Sequence, residues 1–446
     1  MLKTFSKGGI HPPENKLTAD RRIASLPVPA SVAIPVSQHI GAPAMVAVSK
    51  GDQVKAGQVI ATAKGIVSTN IHSSVSGKVN KIDTIVDSSG YKQTAVFIDT
   101  EGDEWMESID RSSQMVRDVA FSSEEIIKRC LECGIVGLGG ATFPSHVKLS
   151  VPQGKTCDVL IINGVECEPY LTSDHRLMLE KGEEILVGIT ILMKALKVSK
   201  AMIGIENNKP DAIARMSELA AGFQGISVHA LKVKYPQGAE KQLIKSLINK
   251  EVPSGHLPVD VGAVVHNVGT AFAVYEAVQK NKPLIERVVT ITGKSLSAPG
   301  NFLVRIGTPV KCLIDAAGGL PSGTGKIISG GPMMGKAISN TDVPVVKGTS
   351  GIVIFPEKES LRMQPDPCIR CAKCSFACPM KLEPYLLISL SEKGLFERAE
   401  TAHITDCMEC GSCSYVCPAG RPVLDYIRLG KATVGKMIRE RSVKLS

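Results

Sequence analysis

Residues 368 to 379 read CIRCAKCSFACP and residues 407 to 418 read CMECGSCSYVCP, one arrangement of four cysteines and a closing proline written twice, 39 positions apart. The two copies hold eight of the chain's 13 cysteines. Each spells C-x2-C-x2-C-x3-C-P, so three thiols stand two residues apart, and a fourth is set off by three and followed by a residue that turns the chain. The surrounding chain has 446 residues, 43% of them hydrophobic and 21% charged. That length and balance support about three domains with real cores and carry no signature of disorder.

The address of the protein decides how the thiols are read. The longest charge-free apolar stretch, ILVGITILM at 185–193, stops at Lys194, far short of the roughly 18 apolar residues that span a bilayer, so no transmembrane helix is expected. The N-terminal MLKTFSKGGIHPPENK has neither an apolar core nor a small-residue cleavage site, which points to a cytosolic setting where thiols stay reduced. A tight cysteine cluster in such a chain indicates metal rather than disulfides.

The spacing is that of bacterial two-cluster ferredoxins, in which the fourth cysteine of each stretch ligates the other cluster. The expected sets are Cys368, Cys371, Cys374 and Cys417 for one 4Fe-4S cluster, and Cys407, Cys410, Cys413 and Cys378 for its neighbour. Zinc and free thiols are the competing readings. Four close cysteines without histidine, closed by a proline, suit a cubane better than a tetrahedral ribbon whose pairs stand apart. A 39-residue period also occurs in solenoids, but those need about three copies. The insert LEPYLLISLSEKGLFERAETAHITD carries Leu386, Leu387 and Leu390 in helical rhythm, with Ile388 also available to a core, so this domain is expected to be helical.

The middle of the chain repeats another pattern. A helix-like run, SSEEIIKRCLECG, with Ser122 or Ser123 as its cap, leads into CGIVGLGGATFPSHVKL at 133–149. Gly137, Gly139 and Gly140 let backbone amides approach a phosphate or a flavin, and Phe143 offers a flat surface for a ring. Downstream, DVLIINGVECEP at 158–169 is a buried-strand run, Val159 to Ile162, that breaks into Asn163, Gly164, Glu166 and Glu168. KVKYPQGAEKQLI at 232–244 and GAVVHNVGTAFAVYEAV at 262–278 again run from strand through turn to helix. Ligands of α/β sheets bind beyond the carboxyl ends of such strands. Glu166 and Glu168 equally suit the start of the following helix. Cys167, Cys157 and Cys312 read as core residues, and the pair Cys130 and Cys133 as packing on a helix end.

The set GLGGATFP, INGVECEP, YPQGAEKQ and VVHNVGTA resembles the FMN and NADH site of the flavoprotein subunit of respiratory complex I, and more closely the RnfC component of the Rnf complex. The Rnf resemblance runs from FSKGGIHPPENK near the start to the double cysteine motif. It implies that the glycine loop (Gly137, Gly139, Gly140) with Lys148 holds FMN; that Asn163, Glu166, Tyr235, Gly238, Asn267 and Thr270 line the flavin; and that Phe143, Glu168 and Glu240 face the nicotinamide nucleotide. Against the complex I pattern, Leu138 stands for an arginine, Val165 for an aspartate, Ala239 for a glutamate and His266 for an asparagine.

The outer segments complete a multidomain α/β architecture. Residues 28 to 82, with GDQVKAGQ and glycines 51, 57, 65 and 77, resemble the barrel-sandwich fold of lipoyl and biotinyl domains. Their apex, VSTNIHSSVSG, has no lysine for a swinging arm, so a docking module is expected. Residues 287 to 330 resemble the soluble-ligand-binding β-grasp domain that follows the flavin fold in complex I, and Pro332 to Pro365 reads as a connector. The expected division is 1–110 for an N-terminal extension plus barrel-sandwich β domain, 115–285 for a Rossmann-like FMN/NADH-binding α/β domain, 286–360 for the β-grasp domain and connector, 361–430 for the α-helical double-cluster ferredoxin domain, and 431–446 for a basic tail.

NADH yields two electrons together and a cubane accepts one, so a flavin must stand between them. The resemblance implies an oxidoreductase and translocase subunit on the cytoplasmic face of the cell membrane, using FMN, two 4Fe-4S clusters and NAD(H), with membrane-embedded Rnf subunits and a ferredoxin-like iron-sulfur subunit as partners. A net charge of +9 suits an acidic partner or an anionic membrane face. With 4% aromatics and no basic-aromatic interleaving, nucleic acid is not expected. Two rivals are a flavin-free iron-sulfur adaptor and the cobalamin reductase of metabolic microcompartments. In the latter the glycine loop lies near the N-terminus, whereas here 136 residues precede Gly137.

Overall fold

The computed structural model describes residues 2–445, the side chains of residues 443–445 excepted; Ser446, the last residue of the expected tail, lies outside the described residues. After a three-residue strand β1 (Ile23–Ser25), the chain builds the barrel-sandwich from β2 (Ser31–Pro35), β3 (Met45–Val46), β4 (Gln53–Val54), β5 (Val59–Thr62), β6 (Ile71–His72), β7 (Gly77–Val86) and β8 (Lys92–Thr100). One sheet runs β2-β8-β7-β4 and the other β3-β5-β6, all neighbours antiparallel. Val32, Ile34, Ile60, Ile71, Val79, Val96 and Ile98 fill the space between them.

The apex of this module is buried. Residues 71 to 77 are sealed from solvent: the Ser74 hydroxyl donates to the Ile306 carbonyl and the Ser74 carbonyl accepts from Arg305 Nη1 (2.8 Å), both far downstream in sequence, and the two residues before the stretch bind the next domain. Thr69 Oγ1 donates to the Leu131 carbonyl at 3.0 Å and Asn70 Nδ2 to that of Glu132 at 3.3 Å. Both carbonyls end α1 (Ser123–Glu132), where the last helical acceptors have no partner within the helix. The expected docking is therefore realised inside the chain.

The central domain alternates strand and helix: α1, α2 (Ser145–Leu149), β9 (Val159–Asn163), α3 (Ser173–Glu180), α4 (Gly182–Leu196), β10 (Ala201–Glu206), α5 (Pro210–Ala220), β11 (Ile226–Leu231), α6 (Glu240–Ile248), β12 (Ala263–Asn267) and α7 (Val268–Gln279). Its sheet is wholly parallel in the order β11-β10-β9-β12. Helices cover both faces, so β9 is apolar along its length and Val159, Leu160, Ile161 and Ile162 are all buried. Strands are added on one side of β9 until β11, and then β12 joins on the other. The switch point, where such folds bind ligands, therefore lies between the carboxyl ends of β9 and β12, at the paired Asn163 and Asn267.

The β-grasp domain holds β13 (Glu286–Thr292), β14 (Gly300–Arg305), α8 (Val310–Ala316), β15 (Thr324–Ser329), β16 (Lys336–Ala337) and β17 (Gly351–Pro356). Its sheet runs β1-β14-β13-β17-β15-β16. This corrects two expectations. The stretch 332–365 is not merely a connector, because its apolar GIVIF run inserts as β17 between β13 and β15. The N-terminal extension is not confined to the first domain either, since β1 closes the sheet edge beside β14.

The last domain is helical, with α9 (Glu357–Ser360) leading through an exposed loop to α10 (Lys373–Ala377), α11 (Pro384–Glu392), α12 (Phe396–Thr401), α13 (Ser412–Tyr415) and α14 (Val423–Leu445). Leu387, Ile388 and Leu390 pack against Ile404, Val423, Ile427 and Val434. Residues 431–445 are thus no separate tail. They continue α14, and Val434 is part of the core. No helix among the described residues is long and apolar enough to cross a membrane.

Candidate functional site

The glycine loop begins where α1 stops. Ser122 rather than Ser123 caps α1, in a reciprocal capping box with Glu125, while the Ser123 hydroxyl bonds the Ala195 carbonyl. The chain then turns at Gly134 with φ +68°, a conformation open mainly to glycine. Gly137 N–H bonds Phe143 O at 2.9 Å and closes the loop. Leu138 N–H donates to Thr270 Oγ1 at 2.8 Å, which pins the loop to the amino end of α7. A Cβ on Gly139 would sit 2.8 Å from Asn267 Nδ2, whereas one on Gly140 would meet nothing within 4 Å. The loop therefore lies tight on the β12–α7 turn at Gly139 and open at Gly140.

Asn267 caps α7 through Gly269 N–H, and its amide reaches Asp174 Oδ2 at 2.6 Å. Asn163 Nδ2 donates to Gly238 O at 2.8 Å. On α2, Lys148 Nζ pairs with Glu240 at the start of α6, 2.6 Å away. Gly137, Gly139, Gly140, Phe143, Lys148, Asn163, Gly238, Glu240, Asn267 and Thr270 thus come together around the switch point.

His266, one residue before that turn, is only 3% exposed, and neither ring nitrogen has a hydrogen-bond partner. Burial, reinforced by the nearby Lys148 charge, depresses its pKa to about 3, so the ring is neutral. A buried ring with two idle nitrogens, an open glycine and a lysine at a helix-end crevice are the features that a phosphorylated, hydrogen-bonding cofactor such as FMN uses.

Three expected residues point elsewhere. Glu166 adopts φ +46° and turns its carboxylate onto α3, accepting from Asp174 N–H (2.8 Å), His175 N–H (3.1 Å) and Ser173 Oγ (3.2 Å). It is a helix cap, in place of the Thr172 side chain, which makes no cap bond. Glu168 accepts from Met334 N–H at 2.8 Å and Met333 N–H at 3.1 Å, across the domain boundary, and burial pushes its carboxyl up to about 7. Tyr235 is buried, and its hydroxyl donates to Cys410 O at 2.8 Å. All three lie beside the switch point, but Glu166 serves α3 of its own domain, and Glu168 and Tyr235 face the neighbouring domains.

None of the 13 cysteines forms a disulfide. Cys378, Cys407, Cys410 and Cys413 line one small apolar cavity with Met380 and Leu387 among its walls. Three of these come from the second stretch and one from the first. Burial pushes the Cys407 thiol up to about 11, with Cys410 and Cys378 close enough to add to the shift. Of the other set, Cys374 and Cys417 pack on the helical core, Cys368 lies beside Arg421, and Cys371 is exposed. Among the described residues no three His, Cys, Asp or Glu side chains are grouped closely enough to hold a single metal ion. Cys130 and Cys133 are sealed in the core with raised pKa values, as packing residues.

Four family profiles match consecutive parts of the chain: the RnfC barrel sandwich hybrid domain at 4–103, the Nuo51 FMN-binding domain at 130–276, the SLBB domain at 288–337 and the 4Fe-4S dicluster domain at 360–425. The chain is 50% identical over 435 residues to the RnfC-type component of the proton-translocating ferredoxin:NAD(+) oxidoreductase complex of Clostridium ljungdahlii, covering 97% of this chain and 94% of that one. The chain belongs to the RnfC family. The counterpart from the sodium-translocating complex of Acetobacterium woodii is 44% identical over 96% of both chains. That of the ion-translocating oxidoreductase complex of Rhodobacter capsulatus is 43% identical, over 99% of this chain and 85% of its own. As a member of the RnfC family the chain is an oxidoreductase component with an FMN-binding domain and an iron-sulfur domain.

Sequence reasoning passed over several residues that organise this region. Lys16 buries its ammonium against the carbonyls of Glu166, Glu168 and Leu171, at 2.8, 2.9 and 2.7 Å, so it fixes the turn that aims both glutamates. Lys209, also buried, holds Val165 O at 2.8 Å. Asp174 lies between Glu166 and Asn267, its carboxyl pushed up by burial and the Glu166 charge. Lone lysines and an aspartate on a helix carry no spacing signal; only the unusual backbone they support reveals them.

Proposed function

We propose that this chain is the peripheral, NADH-reactive subunit of a membrane-bound, ion-translocating ferredoxin:NAD oxidoreductase, exchanging hydride between NAD(H) and FMN and single electrons through two 4Fe-4S clusters. The observation that carries the reading is the direct bond between Tyr235 of the nucleotide-binding domain and Cys410 of the cysteine cavity. It joins the two chemistries through one side chain. When bound, a flavin supplies the conversion between two-electron and one-electron transfer.

The chain's own part is binding and orientation. The open space at Gly140, the amino end of α7 and the Lys148 ammonium offer a cationic seat for a phosphate. His266 supplies the hydrogen-bonding capacity missing at Leu138, which here is a core residue. Glu240, freed from Lys148, stands at the mouth for the nucleotide. Cys378, Cys407, Cys410 and Cys413 hold the inner cluster, and Cys368, Cys371, Cys374 and Cys417 the outer one. The outer set lies beside exposed Ile369 and Phe376 with Arg370 and Lys373 among them, a surface suited to an acidic, ferredoxin-like iron-sulfur partner. Membrane-embedded Rnf subunits complete the assembly, with this chain at the cytoplasmic face of the membrane.

Anaerobic purification tests this reading. Iron, sulfide and acid-released flavin are measured, and NADH is added while the visible spectrum is followed. FMN release and bleaching of both chromophores are expected. A protein that contains iron but no flavin, with clusters that stay oxidised under NADH, overturns it in favour of the adaptor.

A further inference from the structure

The segment from Phe5 to Lys16 lies across the seam between the nucleotide-binding domain and the cysteine cavity. Ile10 and Tyr235 exchange both backbone hydrogen bonds, at 2.8 and 2.9 Å, and Gly9 N–H donates to Ala377 O at 2.9 Å, one residue before Cys378. Gly8, at φ +69°, passes so close that a Cβ there would collide with the Cys378 carbonyl. Ile10, Tyr235, Ala377 and Cys410 form one buried cluster, with Met333 and Met408 against it. The same chain, six residues on, ties down the Glu166–Leu171 turn through Lys16.

We propose that Gly8 to Ile10 is a positioning strap that presses on the backbone of Cys378 and packs Ile10 in one cluster with Cys410, excludes water from the inner cluster and sets its potential apart from that of the exposed outer one. This rests on the cluster assignment above and deepens it. A 4Fe-4S cage with four thiolates becomes more negative on reduction, so water admitted beside it stabilises the reduced state and raises the potential. The outer set has no such cover, and Cys371 and Cys368 are exposed. Only glycine meets the strap's two demands at position 8, a positive φ and contact with a carbonyl.

The test uses the full chain, purified anaerobically, with each cluster signal followed by EPR during a redox titration and each cluster's iron loss to an external chelator timed. Cys378→Ala identifies the inner signal by its loss. In Gly8→Ala the inner cluster is expected to titrate at higher potential and to lose iron at least about tenfold faster, with the outer signal unmoved. Should Gly8→Ala not fold, Ile10→Ala, which opens a gap beside Cys410 without straining the backbone, is expected to move the same signal in the same direction. A fall in thermal stability with both potentials and both iron-loss rates unchanged, or a shift of the outer signal, overturns the strap. Absence of any cluster signal in the parent protein overturns the cluster assignment instead.

Discussion

The hydroxyl of Tyr235 and the carbonyl oxygen of Cys410 are 2.8 Å apart, in a buried contact between residues 175 positions distant in sequence. The tyrosine that the resemblance places along the flavin thus also touches the cysteine cavity. Tyr235→Phe removes one buried hydrogen bond, and about 1 kcal/mol of stability is expected to go with it. Flavin content should hold, while cluster reduction by NADH slows in stopped-flow traces. Loss of flavin, with the wild-type rate of cluster reduction restored when FMN is added back, places the hydroxyl at the flavin alone.

The shared cavity predicts how cysteine variants group. Cys378→Ala should remove the same cluster as Cys407→Ala or Cys413→Ala, bringing iron from about eight to about four atoms per chain, and leave the cluster lost in Cys371→Ala intact. Iron analysis and EPR of the reduced proteins check this. Grouping of Cys378 with Cys368 and Cys371 would mean that each stretch serves its own cluster.

Glu166 behaves as a helix cap, so its value lies in stability. Glu166→Ala leaves three donors at the start of α3 without their acceptor and should cost about 1 to 2 kcal/mol in denaturant unfolding, with FMN affinity changed less than about threefold. A large loss of affinity at unchanged stability would return Glu166 to the flavin.

The Lys148–Glu240 pair predicts opposite effects from its two halves. Lys148→Met removes the cation and is expected to weaken FMN binding to apoprotein about tenfold or more, about 1.4 kcal/mol or above. Glu240→Gln frees the ammonium, so FMN binds no more weakly while the KM for NADH rises. Flavin fluorescence quenching and steady-state kinetics separate the two.

Lys347 gives a pH prediction. Its ammonium is sealed between the Asn70 and Gly134 carbonyls, at 3.0 and 2.7 Å, beside His72, and burial lowers its pKa from 10.5 to about 7. Between those values the unfolded chain holds a proton that the folded one has released, so stability rises with pH across the window. The cost of burying the charge is fully present below about pH 7. The slope is about 1.4 kcal/mol per pH unit. Lys347→Met should flatten the rise between about pH 7 and 9 in chemical denaturation; an unchanged slope means that the lysine keeps its proton.

Much of this was legible because its signals are local. The two cysteine stretches, the VLII run of β9 and the strand–turn–helix unit at 262–278 each lie within short windows and formed where spacing put them, whereas the unit expected at 232–244 has no strand in its KVK run, because β11 ends at Leu231. What escaped was direction and distance. Glu166 and Glu168 sit two apart in one turn, yet the positive φ at Glu166 sends one carboxylate to α3 and the other to Met333 and Met334. β1 is three residues long, with no period to detect, and exists because the β14 edge was open to it. β17 did carry a signal in GIVIF, but its place between β13 and β15 is a property of the sheet and not of the run.

The opening residues meet partners far downstream: Lys3 pairs with Leu231, Ile10 with Tyr235, Ile23 with Asn301, and Gly9 with Ala377. None of these contacts can form before the partner leaves the ribosome. The segment at residues 3 to 23 therefore settles only after partners as late as Ala377 have been made, so it closes the seam between domains that are already formed or forming.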